Sequence, residues 1–332
     1  MYHSSSPLRP AIFPVLLAIL SMTLTGCGQP LDEDQLVDIT WVPWSREDPA
    51  LATLDRAALM IPVLIDGKEA LMQLDTGASR TTLYRPLADR LGIRYEVGEK
   101  VEWNQLPGAY RARIPKITVG GVPRKGMDVI IWGLPSENTG TSDRTAEQDP
   151  RSGRLVKLGD LGTDFFREPR PAALYIDFVS SKLGVFQRAP RVSGRVIPFK
   201  IVSGRPVITL SGSCTLHALY DTGSSPLGLM VTLDIFRTLT GLDPNSEQVS
   251  VLVAPSWGRT IDLHGTPTDL TFRAGRHEFA FPVLWCSPMM DQLARSTRGQ
   301  IDAILGNEAF RSSRILLDFR RNVLIVIEDG RR

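Results

Sequence analysis

The chain has 332 residues, 42% of them hydrophobic and 22% charged, enough apolar material for one large or two mid-sized packed units. Its 38 basic and 36 acidic residues leave a formal net charge of +2. That near balance lacks the basic excess by which nucleic-acid binders are recognised, so no nucleic-acid partner is expected.

In chain order the first feature is a leader. Arg9 gives a sparse positive start, Ala11 to Leu24 form a short apolar run, and Leu24-Thr25-Gly26-Cys27 closes it. Such a run, with small residues before a cleavage point, reads as a secretion signal over residues 1–26 and not as a membrane-spanning helix. The ending resembles the bacterial lipobox. That resemblance implies cleavage before Cys27, lipidation of this cysteine and an anchor in the bacterial cell envelope. Gly28 stands where an aspartate often retains such proteins in the inner membrane, which favours the outer membrane, on its periplasmic or surface face. A plain signal peptide with a chance cysteine is the alternative. Residues 27–47 then form a tether, acidic at first, with a possible strand over 37–44.

From residue 48 the chain says everything twice. Apolar runs at 60–65 and 71–74, joined through Asp66-Gly67, predict a hairpin that leads into Asp75-Thr76-Gly77. Runs at 207–210 and 214–220 around Ser211-Gly212-Ser213 lead into Asp221-Thr222-Gly223. A helix is expected at 85–91, ended by Gly92, and another at 232–240, ended by Gly241. Lys116 to Val119 before Gly120-Gly121 corresponds to Asp269 to Phe272 before Ala274-Gly275, each leading to a strand that ends in tryptophan, Trp132 or Trp285. Leu161-Gly162 corresponds to Leu305-Gly306, and Leu174 to Phe178 to Ile315 to Phe319. Asp75 and Gly162 are 87 residues apart, Asp221 and Gly306 85. The repeat gives a duplicated, strand-rich unit with halves at 48–190 and 191–330. The first half alone carries 135–154, a polar stretch without apolar periodicity that reads as a surface loop.

Two cysteines remain beyond Cys27. An even pair in a secreted chain suggests a disulfide between Cys214 and Cys286, closing 72 residues; two buried free thiols are the alternative. No spacing of Cys or His suggests a metal site, His217, His264 and His277 are scattered, and neither H-E-x-x-H, G-x-S-x-G nor a phosphate-binding glycine loop occurs.

A lone Asp-Thr-Gly is an ordinary turn. Two copies at matching places in a duplicated fold can set Asp75 and Asp221 face to face across a pseudo-twofold axis. Carboxylates held a few Å apart share one proton, so the ionised member can activate a water while its neighbour protonates the carbonyl under attack. In these motifs and in the Leu-Gly elements the sequence resembles the two-lobed aspartic proteases of the pepsin family, over nearly all of 48–330. The resemblance implies an all-β, bilobal fold with a few short helices, in which Leu161-Gly162 and Leu305-Gly306 thread beside the catalytic loops. It implies that Asp75 and Asp221 are the catalytic dyad, supported by Thr76, Gly77, Ala78, Thr222, Gly223 and Ser224, with Thr76 and Thr222 bonding across the lobes. It implies an endopeptidase without cofactor or metal, monomeric, acting on an extended polypeptide in the cleft between lobes. A catalytically silent envelope protein that binds a peptide or protein partner in the same cleft is the rival from another class.

Two departures stand out. Family members usually place Ser or Thr directly after the motif. Ser224 keeps this in the second half, but Ala78 replaces it in the first, which should raise the pKa of Asp75 and move activity toward neutral pH. Tyr110, just after the turn signal Pro107-Gly108, is the candidate for the tyrosine of a hairpin flap.

Overall fold

The computed structural model describes residues 30–43, 54, 56–102, 108–133, 157–256 and 259–328. The leader, Cys27, and the 135–154 stretch lie outside the described residues.

Alternation sets the architecture. In strand Lys68–Leu74 the buried positions are Ala70, Met72 and Leu74, which leaves Leu71 and Gln73 on the opposite face. In strand Thr215–Tyr220 Leu216, Ala218 and Tyr220 turn into the same main core, and Leu219 turns away. Each strand runs straight into its Asp-Thr-Gly, so each aspartate follows on the face turned away from the core.

Up to Leu161 the first half, with the edge strand Thr40–Val42 contributed by the tether, builds an eight-stranded sheet in the order Thr40–Val42, Ala58–Ile65, Lys68–Leu74, Lys157–Leu161, Thr82–Tyr84, Val122–Trp132, Tyr110–Val119, Glu96–Lys100, curled so that Ala58–Ile65 also pairs with Tyr110–Val119. The second half repeats that order: Gly194–Val202, Arg205–Ser211, Thr215–Tyr220, Ala303–Leu305, Leu229–Val231, His277–Cys286, Arg259–Ala274, Ser250–Ser256, with Arg205–Ser211 closing onto Arg259–Ala274. In both, the strand before the aspartate lies parallel to the short strand that ends in Leu-Gly. The halves are joined by an antiparallel platform in which Ala173–Asp177 pairs with its repeat counterpart Arg314–Asp318, Tyr175 opposite Leu316. Two equivalent strands paired antiparallel put a local twofold axis between them. The architecture is the expected all-β, two-lobed one.

The expected helices form at Arg85–Arg90 and Leu233–Thr240. A further one, Pro288–Ser296, is capped by the Ser287 hydroxyl, which accepts from the Met289 N–H at 3.4 Å. The possible strand at 37–44 is two short ones: Val37–Asp38 joins the platform, and Thr40–Val42 edges the first sheet.

Two expectations are corrected. Cys214 and Cys286 are both free. Their strands are separated by Ala303–Leu305 and Leu229–Val231, so three inter-strand steps of about 4.8 Å lie between Thr215–Tyr220 and His277–Cys286, beyond the roughly 7 Å reach of a disulfide. The two tryptophans are also not register equivalents. Trp132 lies opposite Tyr84 and Trp285 opposite Met230, whereas the counterpart of Met230 is Thr82, which pairs with Ile130. Trp132 ends its strand and Trp285 is the last but one residue of its own, and the two are two residues out of step in pairing.

Candidate active site

Each Asp-Thr-Gly loop is pinned by the Leu-Gly element beside it. The Asp75 N–H donates to the Leu161 carbonyl at 3.1 Å, and the Asp221 N–H to the Leu305 carbonyl at 2.9 Å. The following glycines admit no side chain: a Cβ on Gly162 would lie 2.5 Å from the Arg80 backbone, and one on Gly306 2.2 Å from the Ser224 carbonyl. That is why the sequence repeats Leu-Gly.

The two loops then bond to each other reciprocally. The Thr76 N–H donates to Thr222 Oγ1 (2.9 Å) and the Thr222 N–H to Thr76 Oγ1 (3.0 Å). Each hydroxyl donates onward across the axis, Thr76 to the Tyr220 carbonyl (2.7 Å) and Thr222 to the Leu74 carbonyl (2.8 Å). Both threonines are fully buried. Behind them the Asn307 amide donates to the Thr222 carbonyl and Ser225 Oγ and accepts from the Tyr220 hydroxyl. In the first half, buried Asp164 accepts the Thr81 N–H and hydroxyl and the Phe165 N–H. Burial outweighs these donors and raises the Asp164 carboxyl to about 6.

This frame presents Asp75 and Asp221 to each other. A Cβ on Gly77 would lie 2.5 Å from Asp221 Oδ1, and the Gly77 N–H donates to that oxygen at 3.1 Å. The surroundings of the two acids are unequal. Asp221 accepts three donors: Gly77 N–H, Gly223 N–H (2.8 Å) and the Ser224 hydroxyl (2.7 Å). Asp75 accepts the Ala78 N–H at 2.8 Å and shares a hydrogen bond with Asp221. Burial first, then the Asp221 charge, then Asp160, hold the Asp75 carboxyl well above the ordinary carboxylate range. The direction matches the expectation drawn from Ala78, but the leading cause is burial.

The inequality extends to the walls. The Leu-Gly bonds make Asp160 the counterpart of Ile304, and Gln73 that of Leu219. In the second half Leu219 and Ile304 belong to an apolar cluster with Val207, Met230 and Leu263. In the first half Gln73 donates to the Gly223 carbonyl (3.4 Å), Lys157 donates to Gln73 Oε1 (2.8 Å) and pairs with Asp160 Oδ1 (3.2 Å), and the Thr82 hydroxyl donates to Asp160 Oδ2 (3.2 Å). The dyad thus sits between a polar wall and an apolar one. Sequence reasoning missed Gln73, Asp160, Asp164 and Asn307, although laying LMQLDTG over HALYDTG already sets Gln73 against Leu219.

Two carboxyls sharing a hydrogen bond in a buried, mirrored cradle can activate a water and protonate a carbonyl. Residues 61–175 match the aspartyl protease family. The match covers the first Asp-Thr-Gly and Leu161-Gly162, and it supports a peptidase, a hydrolase of peptide bonds. No curated protein matches the chain.

Among the other expected residues, Tyr110 opens strand Tyr110–Val119 opposite Ile131 and packs, half-buried, on the main core. Residues 103–107, including Pro107 of the turn signal before it, lie outside the described residues, as does Cys27. Among the described residues no group of three or more His, Cys, Asp or Glu could hold a metal ion, and no helix is long and apolar enough to cross a membrane.

Proposed function

We propose that the protein is an aspartic endopeptidase, monomeric and anchored by a lipid on Cys27 to the bacterial envelope. The observation that carries the catalytic part is the mirrored pair Asp75 and Asp221, locked by reciprocal Thr76–Thr222 bonds. Asp221 accepts three hydrogen bonds, and burial with the neighbouring charges keeps the dyad's proton on Asp75. Asp221 then takes a proton from a water lodged between the two carboxyls, and the hydroxide adds to the scissile carbonyl. Asp75 gives its proton to the carbonyl oxygen, forming a neutral gem-diol. Asp221 passes its proton to the amide nitrogen as the C–N bond breaks, and Asp75 recovers a proton from the diol. No covalent enzyme intermediate forms, and the dyad ends as it began, with one proton.

The test is incubation of the purified protein with a diverse peptide library from about pH 3 to about pH 8, a range that brackets carboxylate titration. Cleavage by the parent protein that is lost in both Asp75→Asn and Asp221→Asn is expected. Cleavage undiminished in the two variants would refute the dyad. Bound peptide without cleavage would turn the assignment to a silent binding module. For the anchor, fatty-acid labelling should be present in the parent and absent in Cys27→Ser.

A further inference from the structure

Arg205 opens strand Arg205–Ser211, directly after the turn Ser203-Gly204. That turn reaches across to the first half: the Gly204 carbonyl accepts the Thr163 hydroxyl at 2.6 Å and Arg167 Nη1 at 3.3 Å. Alternation fixes where Arg205 points. Val207 lies opposite Leu219, so Arg205, two residues before Val207, shares the sheet face of Leu219 and Asp221. Its counterpart in the first half is Ala58, since Met60 lies opposite Gln73 as Val207 lies opposite Leu219. The repeat has an alanine here once and an arginine once.

Arg205 is half-buried, and its Nε is a buried donor without a hydrogen-bond partner. Burial pulls its pKa down, while Asp75 and Asp221 both lie within electrostatic reach and pull it up. Neither hydrogen-bonds to it; the donors to Asp221 are Gly77, Gly223 and Ser224. The dyad's charge offsets part of the cost of this cation, and the unpartnered Nε donor is left for a hydrogen-bonding acceptor. The planar fork of an arginine suits a carboxylate bidentately.

We propose that Arg205 is a substrate-selecting residue, whose guanidinium takes a carboxylate of the bound peptide on the second-half side of the dyad. The inference rests on the peptide-cleft reading above. The carboxylate comes either from an acidic side chain or from the peptide's own C-terminus. Both present the same group, and in both cases its neighbours on this wall are the apolar side chains around Leu219 and Ile304.

Binding to an inactive form tests this separately from catalysis. The full chain carrying Asp75→Asn is immobilised and exposed to two pools of random octapeptides, one with free C-termini and one amidated, and the retained peptides are sequenced. Expected is about ten- to hundredfold enrichment of carboxylate-bearing peptides, the worth of a charge-assisted hydrogen bond. Enrichment of Asp or Glu at one position in both pools assigns the side chain. Preference for the free-carboxyl pool assigns the C-terminus. In Arg205→Gln the preference should vanish, and in Arg205→Lys, which keeps the charge without the fork, it should fall but persist. Retention of no peptide, no carboxylate preference, or a preference that survives in Arg205→Gln overturns the proposal. Should Arg205 serve only to tune the dyad, Arg205→Gln in the active protein would move the pH profiles of Glu and Gln peptides together and leave their rate ratio unchanged, which also overturns it. Absence of cleavage by the parent protein bears on the peptidase reading alone.

Discussion

Substituting Ser224 and Ala78 separately should move opposite limbs of the pH–rate profile. The Ser224 hydroxyl gives Asp221 a 2.7 Å hydrogen bond, one of three donors on that carboxylate. A buried hydrogen bond to a charged group contributes about 1.5–3 kcal/mol, so Ser224→Ala destabilises the singly ionised dyad by that amount relative to its fully protonated form. At about 1.4 kcal/mol per pH unit, the acid limb of kcat/KM should rise by about one to two units. The basic limb should stay, because that step is the loss of the proton held on Asp75. Ala78→Ser does the converse. It adds a donor to Asp75, whose carboxyl is held high by burial and by the charges of Asp221 and Asp160, and so favours the doubly ionised, inactive form. The basic limb should fall while the acid limb stays. The assay is kcat/KM for one cleaved peptide across the whole profile, since the limbs report macroscopic steps of the pair. A Ser224→Ala profile unmoved on its acid side, or shifted on its basic side, would refute the placing of the shared proton on Asp75.

Thr76→Val removes the donation to Tyr220 and the acceptor for Thr222 N–H, and orphans buried groups on both sides; a loss of about 2–5 kcal/mol is expected in urea denaturation, with Thr76→Val and Thr222→Val together costing less than their sum. Asp160→Asn takes away a charge that raises Asp75, so the basic limb should shift downward; an upward shift would contradict the polar wall. Asp164 has a folded value of about 6 against an ordinary 3.8, so its contribution to stability is full below about pH 4 and is lost as pH rises through about 6. That loss, up to about 3 kcal/mol from the size of the shift, should be absent in Asp164→Asn. Thiol titration should find both Cys214 and Cys286 free in denaturant, while in the native protein Cys286, pushed up to about 12 chiefly by burial, stays unreactive near neutral pH.

The features set by local chemistry were legible in the sequence. Asp66-Gly67 marks a hairpin, Gly92 and Gly241 end their helices, and the repeated Leu-Gly marks where backbone meets backbone. What one chain's pattern does not carry is the register between distant strands. Trp132 and Trp285 both close an apolar run, yet their strands are offset by two residues, which preserves the face and changes the partner. Cys214 and Cys286 failed as a pair for the same reason, since the strands between theirs are contributed from elsewhere in the sequence. Arg205 was missed although it sits in the hairpin read at 207–210 and 214–220, two residues before Val207 and so level with Asp221 once the register is known.

The differences between the halves share a location. Ala78 stands against Ser224, Gln73 against Leu219, Asp160 against Ile304, and Ala58 against Arg205, on or beside the loops that carry the aspartates. The opposite face is split less: Ala70, Met72 and Leu74 bury into the core as Leu216, Ala218 and Tyr220 do, and only Tyr220 brings a polar group, its hydroxyl bonded to Asn307. Packing explains the contrast. A core-facing change must be matched by every neighbour, because interiors are filled at crystal-like density. A cleft-facing change needs to suit only what enters the cleft. Two copies of one fold can therefore hold the dyad symmetrically while presenting different walls to it. A polypeptide laid across the axis would meet amide, ammonium and carboxylate on one side, and an apolar surface with one guanidinium on the other. Such a cleft would distinguish the two directions in which a chain can lie, with Arg205 on the side proposed to take a carboxylate.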